Sequence, residues 1–388
     1  MTEKRQRRRD AEAAGGAMRP GMQSLLDLLR RECEDAERSE AEWKDVLALA
    51  EQEHILPWAA RLLSRRRGLP AQLCAHLQTI EREAAIAAFC WTAELTRILS
   101  AFNGRELRVV PLKGPFLAER LYRDTALRAS YDLDLLVSRA DVEQAERVLS
   151  GLGFAPGTPD EYHRQWYRGP TTVELHHDVE NPLAFNFHTE SALERAQPAS
   201  FGGQPCSKLA PDDELLFLCL HGVRHRFERL SLLLDLSLAF QRLGAREPIG
   251  SSGEVAERGS LLTIGWRMAA LLDPDRVPPL PELVSREHRL QLEQVASRLW
   301  HDLLVVPAET LDWRAAHAFY LEIEEPRRRM RRRVNHLRIL LARTIEPDYR
   351  FAARWGLHRA WQVRLLRPLR LLWELTCGDR ESEPHGVE

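Results

Sequence analysis

Between Glu106 and Glu180 the spacing of apolar residues changes, and that change constrains the chain more than any other feature. On either side, from Met22 to about Ala101 and again after Pro211, apolar residues recur three and four apart, the period of amphipathic helices. Inside it, ELRVVPL (Glu106–Leu112) is a short β-branched run, and YDLDLLV (Tyr131–Val137) alternates and then becomes wholly apolar. The stretch EYHRQWYRGPTTVELHHDVE (Glu161–Glu180) reads as two strands joined by a turn at Gly169-Pro170. Pro115 stands at a first helical position and opens PFLAERLY, while Asp141 is placed to cap DVEQAERVLSGLG, which ends at glycine. The order is β-α-β-α-β-β inside an otherwise helical chain. The predicted class is α+β, a small mixed β-sheet core flanked by helical N-terminal and C-terminal regions.

The boundaries follow from composition. Residues 1–18 read as a disordered basic arm, 19–101 as the helical N-terminal region, 102–208 as the α/β core, 209–377 as the helical C-terminal region and 378–388 as a disordered tail. After Pro211, DDELLFLCLHGVRHRFERLSLLLDLSLAFQRL is one long or broken helical pattern, and Glu247–Ser260, with GSSG in it, is the best linker candidate.

No run of eighteen apolar residues occurs, so no membrane span is expected, and the charged start lacks the apolar run of a secretory signal. The six cysteines are scattered without a CxxC, which disfavours a zinc site or a disulfide framework and predicts reduced thiols in a cytoplasmic protein. Net charge is only −2, yet Pro326–Leu375 holds fourteen arginines against three acids. Within it, PRRRMRRR could meet RNA phosphate or an anionic membrane surface, but a solvated helix face paired with Glu322, Glu324 and Glu325 is the favoured reading. The tryptophan-bearing RWGLHRAWQVRLLRPLRLLWEL is read as core or self-association, since Pro368 interrupts it.

The chemistry sits in LKGPFLAERLYRDTALRASYDLDLLV. Strand positions i and i+2 share a face, so Asp132 and Asp134 project together while Leu133, Leu135 and Val137 bury opposite. Two carboxylates one pleat apart repel unless a cation lies between them, and Mg²⁺ is the natural partner for such hard oxygens. Thr172, Glu174, His176 and Asp178 likewise share one face of TTVELHHD; if the two strands are neighbours, Glu174 becomes a third carboxylate of a two-metal site. Upstream, the strand–Lys113-Gly114–helix turn offers backbone N–H groups and a helix N-terminus to phosphate oxygens. His176 is placed either to orient an acceptor or to bond a neighbouring strand. His221 and His225, four apart on a helix, have metal-pair spacing, but without a third ligand nearby they are read as hydrogen-bonding groups, with a histidine or Arg224 aimed at substrate.

These residues resemble the nucleotidyltransferase superfamily with the polymerase-β-like fold, and within it the bacterial nucleotidyltransferase family proteins. The resemblance is carried by Leu112-Lys113-Gly114, Arg128, Asp132-Leu133-Asp134-Leu135-Leu136-Val137, Gly153-Phe154 and Glu174-Leu175-His176, with His221, His225 and Asp235 at recurrent positions of the following helix. It spans most of residues 40–375 and is specific over 112–178. The wider superfamily has Gly-Ser or Gly-Gly where this chain has Lys113-Gly114, so a lysine ammonium replaces a phosphate-binding hydroxyl.

The resemblance implies an enzyme that moves a nucleoside monophosphate from an NTP to an acceptor, with Mg²⁺ or Mn²⁺. In that reading Asp132, Asp134 and Glu174 are the catalytic metal ligands and Glu174 helps deprotonate the acceptor. Lys113 and the Gly114 amide take β/γ-phosphate charge, Arg128 steadies the triphosphate or the DxD pair, and His176 belongs to the binding set. A small molecule or modified peptide is the favoured acceptor. Toxin-like relatives sharing R-x-S-x-D-hydrophobic-D (Arg128 to Asp134) make RNA the alternative, and a non-catalytic nucleotide-binding module or transfer of the terminal phosphoryl group are the rivals.

Overall fold

The segment where the period changes forms a five-stranded sheet in the computed structural model, which describes residues 18–30, 39–159, 162–179, 187–244, 252–305, 319–320 and 322–324. All of these belong to one compact unit, Met1–Pro326. Residues 1–17 of the expected basic arm, the PRRRMRRR run, the tryptophan-bearing segment and the acidic tail lie outside the described residues.

Strands β1 (Val110–Pro111), β2 (Leu133–Leu136), β3 (Ala155–Pro159), β4 (His163–Arg168) and β5 (Thr171–His176) lie in the order β1-β2-β5-β4-β3. The expected hairpin at Gly169-Pro170 is β4–β5, antiparallel, with Gln165 opposite Glu174. β2 and β5 run parallel, with Asp134 opposite Glu174 and Leu136 opposite His176, so the sheet is mixed. Every residue of β2 is buried, Asp134 included, and the strand is apolar at all its other positions.

Helices surround this sheet: α1 (Met22–Arg30), α2 (Glu40–Gln52), α3 (Leu56–Ser64), α4 (Ala71–Asn103), α5 (Gly114–Tyr122), α6 (Val142–Gly151), α7 (Thr189–Arg195), α8 (Pro211–Arg224), α9 (Leu230–Leu243), α10 (Ser252–Leu272) and α11 (Arg286–Val305). The fold is α+β, as expected. Ser39 and Glu42 form a capping box that starts α2, satisfying two N-terminal amides reciprocally.

Two apolar cores result. One, under the sheet, gathers Leu133, Leu135, Val173, Leu175 and Trp166 with Phe102 and Leu149. The other gathers Trp43, Leu63, Phe227, Phe240 and Met268 from the helices, and takes Leu136 from the sheet. Thus the odd residues of β2 enter one core, and the even ones face the other way. α4 joins both cores, through Leu73, Leu77 and Ile80 near its start and Leu95, Ile98 and Leu99 near its end. By length and composition it is also the one described helix apolar enough to cross a membrane, although polar residues interrupt its apolar run.

The structure corrects several expectations. β3 is an additional strand, and a separate hairpin, β6 (Gln197–Phe201) with β7 (Gln204–Lys208), turns at Gly202-Gly203, both with positive φ. The Asp141 side chain makes no cap bond; Ser138 accepts from the Asp141 amide and caps the 3₁₀ turn Arg139–Asp141 that leads into α6. The long pattern after Pro211 is two helices, parted where Arg226 and Phe227 take positive φ. α10 begins inside GSSG, so the linker is shorter than the composition suggested.

Candidate active site

Pairing of β1 with β2 continues one residue past β1, because the Leu112 amide donates to the Asp134 carbonyl at 2.9 Å. The chain then leaves the sheet at Lys113 and enters α5 at Gly114, with Pro115 in the first turn as expected. Gly114 has φ +63°, and a Cβ there would stand 3.4 Å from the Asp132 carbonyl and 3.5 Å from Leu133 Cδ2. A left-handed residue against that backbone is a place for glycine. The turn delivers the Lys113 ammonium to 3.1 Å from Asp134 Oδ2.

The parallel pairing of β2 with β5 brings Asp134, Glu174 and His176 together, with one ligand atom from each within 4.8 Å of the others. His176 Nε2 lies 3.2 Å from Asp134 Oδ1 and 3.4 Å from Glu174 Oε2. Gln165, opposite Glu174 on β4, donates to its Oε1 at 2.8 Å. Asp132 stands one residue before β2, outside that cluster and half-buried. The cluster is therefore two carboxylates and an imidazole rather than three carboxylates.

Electrostatics separate the two aspartates. Burial and the neighbouring Asp134 charge, opposed by Lys113, raise the Asp132 carboxyl to about 6. Burial would raise Asp134 as well, but the Lys113 ammonium and the His176 hydrogen bond hold it far below the usual carboxylate range. Glu174 is lowered despite burial, chiefly by its hydrogen bond from His176. Burial disfavours the His176 imidazolium, yet its bonds to Asp134 and Glu174 raise it above the ordinary histidine value. Lys113 and His176 thus supply the positive charge that the carboxylates require. Hard oxygens suit Mg²⁺ and an imidazole suits transition ions, so a donor set of this kind fits Mn²⁺ and admits Mg²⁺.

The opposite wall of the pocket comes from α8. Phe217, Leu220, His221 and Arg224 line it, facing Leu112, Lys113, Asp134, His176 and Val179. Burial, then Lys113, His225 and Arg224, push His221 well below its ordinary value, so it is neutral. His225 is not in that wall and sits 3.7 Å from Glu228. Arg128 is engaged by Asp235 on α9, and its charge is felt by Asp132, Asp134 and His221. Residue spacing alone gives no sign of two of these contacts: Gln165 reaches Glu174 through the register of the β4–β5 hairpin, and Arg128 reaches Asp235 across 107 residues of chain.

A family model described as an uncharacterised nucleotidyltransferase matches residues 39–264, more than half of the chain and every residue of the site described above. The chain belongs to that family. It is an enzyme of the nucleotidyltransferase class, with an NTP as co-substrate of the family. No curated protein matches this nucleotidyltransferase significantly. Two solved structures align loosely. One is the crystal structure of ANT(2")-Ia in complex with adenylyl-2"-tobramycin, at 14% identity over 44% of this chain and 95% of that one, TM-score 0.34. The other is the solution structure of the antibiotic-resistance factor ANT(2'')-Ia, at 15% identity over 46% and 94%, TM-score 0.33. Superpositions that loose say nothing of this nucleotidyltransferase's acceptor.

Proposed function

We propose that this nucleotidyltransferase moves a nucleoside monophosphate from an NTP to a hydroxyl of a small molecule or modified peptide, with Mg²⁺ or Mn²⁺, in the cytoplasm. The acceptor hydroxyl gives its proton to the Glu174 carboxylate as its oxygen forms a bond to the α-phosphorus, the bond from that phosphorus to the β-phosphate bridge breaks, and pyrophosphate leaves. The observation that carries this reading is the buried Asp134–Glu174–His176 cluster beside the Lys113-Gly114 helix start. Asp134, Glu174 and His176 would hold the ion, with Asp132 beside them. When bound, the ion neutralises phosphate charge and polarises the α-phosphoryl oxygen.

The chain's own residues do the rest. Lys113 exchanges its Asp134 contact for the β/γ-phosphates, and the amides at the start of α5 face the same oxygens. Glu174, held by Gln165, is the acceptor-side carboxylate. His221 and Arg224 form the wall against which the acceptor rests. Catalysis then consists of positioning and fixed charge.

Titration calorimetry of Mn²⁺ and of each NTP with Mn²⁺ tests the site. The wild type is expected to bind the ion and one or more NTPs. Asp134→Asn is expected to lose both. Equal binding by the variant would contradict the assignment.

A further inference from the structure

Asp235 lies on α9, over a hundred residues after Arg128 in the chain, yet the two are bonded, and the Arg128 charge is felt by Asp132 and Asp134. It is buried, at 3% exposure. Its Oδ1 accepts from the Tyr122 hydroxyl at 2.6 Å and from Arg128 Nε at 3.0 Å. Its Oδ2 accepts from Arg128 Nε at 3.1 Å and Nη2 at 2.9 Å. A guanidinium gripped along one edge by a carboxylate has a fixed plane, and its remaining edge is aimed with little loss of side-chain freedom. Arg128 Nη1 is that remaining group; it makes no hydrogen bond among the described residues.

Tyr122 adds a second tie. It is the last residue of α5, whose first residue is Gly114 and whose start carries Lys113. The Trp58 ring packs edge-on against it at 5.3 Å. One carboxylate therefore fastens both elements to which phosphate contacts were assigned: the helix behind Lys113-Gly114 and the loop bearing Arg128. A buried ion pair is weak evidence for stability, since apolar residues of the same volume often serve as well. Its fixed geometry is the property that an apolar replacement would lose.

We propose that Asp235 is a positioning residue for the triphosphate: it holds Arg128 with its free edge toward the nucleotide phosphates and keeps α5 in register with it. This rests on the nucleotidyl-transfer reading above, and it adds that the helical region, through α9, sets recognition of the β- and γ-phosphates.

The test is a binding series on the full chain with Mn²⁺, using the NTP that the wild type binds and the matching NDP and NMP. Variants are Asp235→Asn, Tyr122→Phe and Arg128→Gln, with the double variant Asp235→Asn/Arg128→Gln. Asp235→Asn is expected to weaken NTP binding about tenfold or more and to leave NMP binding unchanged. Arg128→Gln is expected to do the same, and the double variant to be no weaker than Arg128→Gln alone, because the two act as one unit. Tyr122→Phe keeps the ion pair and the fold and is expected to give a smaller loss in the same direction. Equal loss for NTP and NMP, additive effects in the double variant, or unchanged NTP binding in Asp235→Asn and Tyr122→Phe would overturn the proposal while the site reading stands. A wild type that binds no nucleotide with Mn²⁺ would overturn both.

Discussion

Asp134 and Glu174 face each other across β2 and β5, the one parallel pairing among the described strands, with the His176 imidazole bridging their carboxylates on the same side. Forty residues of chain separate the two acids. Parallel pairing needs such a crossover, here through α6 and the β3–β4 hairpin, so the cluster exists only once the sheet is complete. The chemistry thus depends on sheet register, since a slip of β5 by one residue would turn Glu174 and His176 to the face opposite Asp134.

The metal-free protein is expected to lose stability as pH rises. His176 has a folded value above its unfolded one, so its contribution is full below about pH 6.5 and is lost as pH climbs through the folded value. Asp132, raised from an ordinary value of about 4 to about 6, has the same sign: its contribution is full below about pH 4 and is lost as pH rises through about 6. Asp134 and Glu174, both lowered, act oppositely and withdraw stability only as pH falls below the ordinary carboxylate range. Thermal melts in chelator are expected to drop as pH rises through about 6 and on past the ordinary histidine value of about 6.5, and Mn²⁺ is expected to abolish the drop. A flat profile in chelator would contradict the charge assignment.

Removing Lys113 should act in opposite directions on metal and on turnover. Its ammonium competes for Asp134, so Lys113→Met is expected to bind Mn²⁺ more tightly in the absence of nucleotide. Transfer is expected to slow about 100-fold or more, as when one fixed donor to developing charge is lost. Calorimetry and initial rates read the two effects separately.

Gly114→Ala forces an alanine into left-handed backbone at φ +63°, about 1–2 kcal/mol of strain, with its methyl against the Asp132 carbonyl. The expected outcome is a modest drop in melting temperature with a larger loss of transfer, because any relief moves α5 away from Asp132 and Asp134. Equal activity of the variant would show that the turn is not the phosphate-facing element.

Glu53 is expected to be a stability determinant far from the chemistry. Fully buried, it accepts from Arg19 Nη2 at 2.6 Å and from the Leu230 amide at 2.8 Å, the first amide of α9. Glu53→Ala strands a buried guanidinium and uncaps that helix, an expected loss of about 3 kcal/mol or more, read by chemical denaturation.

Much of this was legible in the sequence for local reasons. Strand period, the Pro115 helix start and the Gly169-Pro170 turn are signals spread over a few residues, and they placed Asp134, Glu174 and Lys113 correctly on β2, β5 and the turn between β1 and α5. What spacing could not reach was register and the pairing of β5 with β2. The turn at Gly169-Pro170 marks β4 as a neighbour of β5 but not the register that sets Gln165 opposite Glu174, and nothing within β5 says that β2 lies on its other side, where His176 meets Asp134. The same holds for Asp235: a helix pattern shows that it lies on α9, and only packing shows that Arg128 is its partner. The β6–β7 hairpin was missed for the opposite reason, its strands being short and polar around Gly202-Gly203, with little apolar alternation to detect.

Label transfer tests the central claim most directly. Purified protein would be incubated with Mg²⁺ or Mn²⁺, an extract of the cells that encode it, and each of the four NTPs labelled at either the α- or the γ-phosphate, beside Asp132→Asn/Asp134→Asn. Nucleotidyl transfer predicts α-label on an extract component with the wild type and none with the double variant. Transfer of γ-label alone, or α-label that persists in the double variant, would contradict it.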